Sequence, residues 1–172
     1  METIINFAKV RDSAVIPSKR EEDAGFDIYA NFEENYMIID KHETVMIPTG
    51  IACACDKEYC FIIKERGSTG TKGMAQRCGV VDSGYRGEIF APITNTSNNT
   101  LIILKRGVDI SELYKDIIPK DITIYPYEKA IAQLLLIPVP SVSVKEITFK
   151  ELQEIPSVRG GGNLGSSKKW CN

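Results

Sequence analysis

One carboxylate and one aromatic ring share a turn-prone stretch, Gly79 to Asn95, which reads Gly-Val-Val-Asp-Ser-Gly-Tyr-Arg-Gly-Glu-Ile-Phe-Ala-Pro-Ile-Thr-Asn. Val80-Val81 and Ile89-Phe90 are strand-like runs, and Asp82-Ser83-Gly84 between them is a turn signal. The stretch therefore reads as a β-hairpin with Asp82 and Tyr85 at its bend. A carboxylate fixed at such a tip can hold a water as general base, and a ring beside it can support a flat ligand. A solvated Asp-Ser-Gly turn is written in the same letters, so the stretch alone leaves both readings open.

Three other segments carry groups suited to anions. Arg66-Gly67-Ser68-Thr69-Gly70-Thr71-Lys72-Gly73 follows an apolar run and supplies a guanidinium, hydroxyls and backbone amides. It lacks the Gly-Lys-Ser/Thr order of a P-loop, so it reads either as an anion-binding nest or as a surface loop. Arg159 to Ser167, with Gly160-Gly161-Gly162, Leu164, Gly165, Ser166 and Ser167, suits a flap closing over phosphates; a disordered end has the same composition. Gln133 is a lone amide inside the apolar run Ile131 to Leu136, and a buried amide needs partners, structural or functional. Asp27 alternates with Phe26 and Ile28, which puts its carboxylate on the face opposite the apolar set.

The elements that position these groups are short. Runs at 2–10, 23–30, 37–39, 44–47, 51–54, 59–63, 101–104, 122–125, 130–139 and 142–149 have strand character, with no βαβ alternation, which predicts an all-β sandwich or barrel. Residues 107–121 break the rhythm and read as a short helix or irregular insertion. A chain of 172 residues forms one domain with a real core, and a net charge of −2 gives no bulk attraction to nucleic acid or anionic membrane. No apolar run reaches bilayer length and no signal-peptide pattern opens the chain, so a soluble, cytoplasmic protein is expected. The only histidine, His42, lies in a polar turn, a poor place for a Ser-His-Asp triad. Cys53, Cys55 and Cys60 are spaced C-x-C-x4-C, which fits small apolar core thiols better than zinc.

Taken in order, Ala24-Gly25-Phe26-Asp27-Ile28-Tyr29-Ala30, Arg66-Gly67-Ser68-Thr69-Gly70, Gly79 to Gly87, Ile131-Ala132-Gln133-Leu134 and Arg159 to Ser167 resemble the five ordered motifs of the trimeric dUTPase family. The resemblance implies a distorted jelly-roll homotrimer that hydrolyses dUTP to dUMP and pyrophosphate with Mg²⁺. It implies that residues 1–155 form the β domain, with an insertion at about 106–121. Residues 156–172 would form a glycine-rich arm closing over a neighbouring active site. Asp82 would hold the water that attacks the α-phosphate, and Tyr85 would pack on the deoxyribose and exclude a ribose 2′-hydroxyl. Backbone from Ala75 to Gly79 would read uracil, with Gly79 and Val81 among the substrate contacts. Arg66, Gly67, Ser68 and Gln133 would meet the phosphates, and Arg159, Leu164, Gly165, Ser166 and Ser167 would close from another subunit. Asp27 would serve the metal indirectly, through water.

Some positions depart from the family pattern. Gly67 replaces the usual serine at the scissile bridge, Leu164 the phenylalanine over uracil, and Tyr127 and Ala130 the usual Gly and Arg of the fourth motif. The insertion resembles those of dUTPases from phages of Gram-positive hosts, which implies a bacterial or phage-infected setting and a possible regulatory protein partner. Two alternatives follow: a catalytically weak nucleotide-binding module, and dCTP deaminase, whose catalytic Glu would align with Pro92.

Overall fold

Apolar runs fold the chain into a series of short strands, most with one face inward and β-strands such as Thr100–Leu104 buried on both. A computed structural model describes residues 3–77, 79–111 and 121–161. In chain order these contain β1 (Ile5–Lys9), β2 (Gly25–Ile28), β3 (Tyr36–Ile39), β4 (Thr44–Pro48), β5 (Ile51–Cys55) and β6 (Tyr59–Lys64). They continue with α1 (Gly67–Gly70), β7 (Met74–Gln76), β8 (Val80–Val81), β9 (Phe90–Asn95), β10 (Thr100–Leu104), β11 (Ile122–Pro126), β12 (Ala132–Pro138) and α2 (Phe149–Glu154). The chain divides into two compact units, Met1–Pro140 and Ser141–Asn172.

The first unit is all-β, as the alternation predicts, and is the distorted jelly roll that the resemblance implied. Its sheets run β1-β5, β11-β10-β3, β2-β12-β6-β8 and β4-β9-β7. The inner faces of β6 and β12 give Phe61, Ile63, Ala132 and Leu134 to a core that also holds Ile28, Ile39, Ile47, Ile93 and Leu101. Phe7, Phe26 and Phe61 stack in that core, with ring centroids 5.8 to 6.5 Å apart. Tyr125 is fully buried because its hydroxyl donates to the Ala130 carbonyl at 2.7 Å. A buried hydroxyl without such an acceptor would be costly.

β10 and β11 are parallel, from Thr100↔Ile122 to Leu104↔Pro126. Parallel neighbours need a long crossover, because a tight turn can only reverse the chain. The expected insertion lies within that crossover. Residues 112–120 are outside the described residues, while 106–111 form a turn and irregular backbone that buries Ile110.

Three sequence expectations need correction. Val80-Val81 and Ile89-Phe90 do not form a hairpin: β8 pairs with β6, and β9 pairs with β4 and β7. The segment between them crosses from one sheet to another. Val142 to Phe149 has strand periodicity but no ladder among the described residues, and α2 starts at its end. That helix is set by a capping box, in which the Thr148 hydroxyl accepts from the Glu151 amide and the Glu151 carboxylate returns to the Thr148 amide. The glycine-rich segment after Arg66 is a helical turn rather than open loop.

Cys53 faces inward from β5, and burial pushes its thiol up to about 11. A thiol so far above its ordinary value carries almost no thiolate at pH 8. Iodoacetamide at pH 8 is expected to leave Cys53 unmodified in the folded chain and to alkylate it in urea, as read by peptide mass spectrometry. Phe61→Ala empties a site at 0 % exposure and is expected to cost about 3–5 kcal/mol in urea unfolding. Phe149→Ala, at 73 % exposure in the second unit, is expected to shift stability by less than about 0.5 kcal/mol.

Candidate active site

Register fixes the first cluster. Gln133 of β12 lies opposite Asp27 of β2 on one side and Lys64 of β6 on the other. Directly opposed residues share a face, so Asp27 and Gln133 emerge side by side on the outer face while Ile28, Ala132 and Leu134 face the core. Arg66 follows β6 by two residues and is the N-cap of α1. Its guanidinium grips Asp27 through two parallel bonds, Nε to Oδ1 at 2.7 Å and Nη2 to Oδ2 at 3.0 Å, and Nη1 reaches Ser68 Oγ at 3.4 Å. Such a fork holds the cation rigidly in place.

Gln133 is fixed as well, with Nε2 donating to the Glu65 carbonyl at 2.8 Å. Its Oε1 lies 2.5 Å from where a β-carbon on Gly25 would stand, so position 25 has no room for a side chain. Glu65 ties the end of β6 to β7 by accepting from the Gln76 amide at 2.8 Å. Desolvation works to raise the Glu65 pKa, but hydrogen bonds from backbone amides and from Lys64 outweigh it and hold the carboxyl below its usual range. Gly25, Asp27, Arg66 and Gln133 line a cleft of about 930 Å³ with Ser18, Arg20 and Ser68 on its walls. Ser18 reaches it by accepting from the Asp27 amide at 2.8 Å. In sequence, Pro17 to Asp23 is a charged, turn-rich segment with no motif that points to this cleft.

The second cluster gathers around β8. Asp82 is exposed just past the strand, and the Tyr85 amide donates to the Asp82 carbonyl at 3.0 Å. A smaller cleft of about 220 Å³ is lined by Asp82, Tyr85, Glu88, Ile63, Val80 and Pro92. Val81 also borders it, but its side chain is buried in the core, which leaves backbone for any ligand contact. The Gly79 carbonyl is taken by the Ile63 amide at 2.7 Å.

Asp27 and Asp82 share the outer face of one sheet but lie far apart. Three strand spacings and a four-residue offset separate them, about 14 Å by 13 Å, or roughly 20 Å in all. Asp27, Arg66, Gly67, Ser68 and Gln133 thus come together, and Val81, Asp82 and Tyr85 form a separate group. Arg159 lies in the second unit, exposed, with its amide donating to Ser157 Oγ at 3.3 Å. Leu164, Gly165, Ser166 and Ser167 lie outside the described residues.

The family model described as dUTPase matches residues 11–113, more than half of the chain. The chain belongs to the dUTPase family. A deoxyuridine 5′-triphosphate nucleotidohydrolase of Leptospira interrogans is 30% identical over 109 residues, 61% of this chain and 74% of that protein. One from Mycolicibacterium gilvum is 27% identical over 172 residues, 97% of this chain and 96% of its own. Among solved structures, the dUTPase of Staphylococcus bacteriophage 80alpha with dUPNHPP aligns with a TM-score of 0.72 at 21% identity, covering 95% of this chain and 98% of that one. The dUTPase of phage phi11 of S. aureus, described for its species-specific insert, aligns with a TM-score of 0.67 at 20% identity, covering 84% and 96%. Both therefore share this dUTPase's fold.

Gly25→Ala is expected to push the Gln133 amide aside and break its bond to Glu65. The expected cost is about 1 kcal/mol in stability and a several-fold rise in KM for a triphosphate substrate. Steady-state kinetics beside urea unfolding checks both.

Proposed function

We propose that this dUTPase hydrolyses dUTP to dUMP and pyrophosphate in a homotrimer whose active sites are each built from more than one chain. The observation that carries the reading is the division of the outer sheet face into a polar, Arg66-bearing cleft and a carboxylate–aromatic cleft, with Asp27 and Asp82 roughly 20 Å apart. That separation exceeds the length of a triphosphate, which favours a site shared between copies over one built within a single chain. A neighbouring copy that brings its Asp82 cleft to this chain's Arg66 cleft completes such a site.

In that arrangement Asp82 accepts the proton of the attacking water, and the Tyr85 ring fills the space a 2′-hydroxyl would need. Backbone from Ala75 to Gly79 reads the uracil edge, and Gly79 and Val81 contact the base through main chain. Arg66, Ser68 and Gln133 hold the phosphates in line. Arg159 and the arm through Leu164, Gly165, Ser166 and Ser167 close from a further copy and exclude water. The product dUMP feeds thymidylate synthesis, and removal of dUTP keeps uracil out of DNA.

The acidic groups fit a Mg²⁺ that travels with the nucleotide. Among the described residues no group of three or more His, Cys, Asp or Glu could hold a metal ion, and both Asp27 oxygens accept from Arg66. Triphosphate oxygens would hold the ion, with Asp27 touching its hydration shell. Bound there, Mg²⁺ supplies charge neutralisation for in-line displacement. A mutant of the phi11 phage enzyme is described as revealing how a structural Mg(II) ion is coordinated.

Oligomer formation has its own support. Val142 and Val144 are 74 % and 94 % exposed on a segment with strand periodicity and no strand partner among the described residues. Such a segment suits the sheet edge of a neighbouring copy. Among the described residues no helix is long and apolar enough to cross a membrane. One observation favours a second reading, a nucleotide-binding module with a regulatory protein partner at residues 106–121. A β-carbon on Gly67 would meet nothing within 4 Å, so no neighbouring group fills the place of the missing hydroxyl.

Pyrophosphate release should be measured with dUTP, dCTP, dTTP and UTP in Mg²⁺. Release from dUTP alone, abolished by Asp82→Asn, is expected; tight dUTP binding without release would favour the binding module. Light scattering is expected to give three times the chain mass of 19.1 kDa. Replacing Val142 and Val144 with Asp should lower both mass and turnover. Gly67→Ser has the space it needs and is expected to raise kcat while changing stability by less than about 1 kcal/mol.

A further inference from the structure

Tyr85 is 46 % exposed, and a discriminating ring needs something to hold it still. Its hydroxyl donates to the Glu88 carbonyl at 2.9 Å, and its ring lies over Gly87, where a β-carbon would stand 2.4 Å from the hydroxyl oxygen. The ring is therefore as steady as the backbone at Glu88. That backbone is fixed through its own side chain. Glu88 Oε1 accepts from the Gly50 amide at 2.7 Å and from Arg11 Nη2, and Oε2 accepts from Arg11 Nη1 at 3.1 Å.

Arg11 is anchored from behind. Its Nε donates to Asn31 Oδ1 at 2.7 Å and its Nη2 to the Asn31 carbonyl at 3.2 Å, while Asn31 Nδ2 donates to Ser13 Oγ at 3.0 Å. Asn31 is 3 % exposed, and the Glu88 side chain only 13 %. The next residue continues the clamp: the Ile89 amide donates to the Ile51 carbonyl at 2.7 Å, and Thr49 Oγ1 donates to the Ile89 carbonyl at 2.5 Å. Arg86, by contrast, donates to the Ser83 and Tyr85 carbonyls within the loop. The route from the loop to the body therefore runs through Glu88 and Ile89.

We propose that Arg11 and Glu88 are positioning residues for sugar discrimination: their forked ion pair holds the Tyr85 ring where it rejects a 2′-hydroxyl. Arg11 lies outside the lining of the Tyr85 cleft, and Glu88, on its wall, acts on the ring through its own backbone carbonyl. The inference rests on the reading that Tyr85 packs on the deoxyribose. A steric gate works only to the accuracy with which its wall is held, because a fraction of an ångström admits an extra oxygen. Loosening the pair relaxes the gate while Asp82, which follows β8 on the opposite side of the loop, stays anchored by the pairing of Val81 with Phe61.

The test compares kcat/KM for dUTP and UTP in the native chain, Arg11→Ala, Arg11→Lys, Glu88→Gln and the Arg11→Ala/Glu88→Gln pair. Folding is followed by thermal unfolding and light scattering. The dUTP-to-UTP ratio is expected to fall about tenfold in each single variant and no further in the double, the size that a close steric contact supplies. Arg11→Lys, which keeps charge but loses the fork, should behave like Arg11→Ala. A ratio that stays at the native value while both substrates slow together would overturn the proposal and leave the pair a stability element. If the native chain binds dUTP without turnover, the same ratio is taken from dissociation constants by calorimetry. Failure of the hydrolytic reading then stays distinct from failure of this one.

Discussion

The pairing of β12 with β2 and β6 is the constraint on which the phosphate end depends. With Gln133 between Asp27 and Lys64, both polar side chains face outward and Ile28, Ala132 and Leu134 face inward. A slip of one residue would reverse every one of these positions, burying a carboxylate and an amide and exposing the core. The hydrophobic pattern that stabilises the sheet therefore also specifies the site. Arg66 needs no separate placement: β6 ends two residues before it, and α1 turns its side chain back onto Asp27.

The same sheet sets the limit of what one chain does alone. Its outer edge strand, β8, carries Asp82 toward a second cleft, and the strand spacing keeps that cleft away from Arg66. Both clefts are open and exposed, so neither contributes much to the stability of the fold, which resides in the apolar faces beneath. A protein organised in this way can separate folding from activity: the monomer's core is complete before any site is. In the shared site proposed above, binding rewards assembly, because a nucleotide spanning two chains stabilises their contact by mass action.

Much of this was legible in the sequence, because alternation and motif order are local properties. Gly25, Phe26, Asp27 and Ile28 announce a strand with its carboxylate outward, and Gln133 in an apolar run announces a partner. What failed was pairing. Val80-Val81 and Ile89-Phe90 look like the arms of one hairpin because they flank a turn signal, yet strand partners are chosen by non-local burial, and each run found a different sheet. Val142 to Phe149 has a genuine strand pattern but joins no ladder among the described residues. The Thr148–Glu151 spacing is a local capping-box signal that starts a helix at the end of that pattern. Arg11 and Glu88 left no trace at all: 77 positions apart, they meet only once the fold brings Gly50 against Glu88 and sets Asn31 behind Arg11.

The two clefts also differ in how they are held, and that difference bears on the departures from the family pattern. The Arg66 cleft is fixed by sheet register and by a fork that reaches from just past β6 to β2 on the far side of β12, so an open position such as Gly67 can vary without disturbing Asp27 or Gln133. The Tyr85 loop has no such redundancy. It leaves one sheet and enters another, and its crown depends on a half-buried ion pair reaching back to the first strand's end. Removing one member of such a pair leaves the other charge uncompensated, a larger loss than the pair itself supplies. Substitution is therefore cheap in the Arg66 cleft and costly at the Tyr85 loop, which is the physical reason a changed Gly67 can coexist with an intact Asp82–Tyr85 turn.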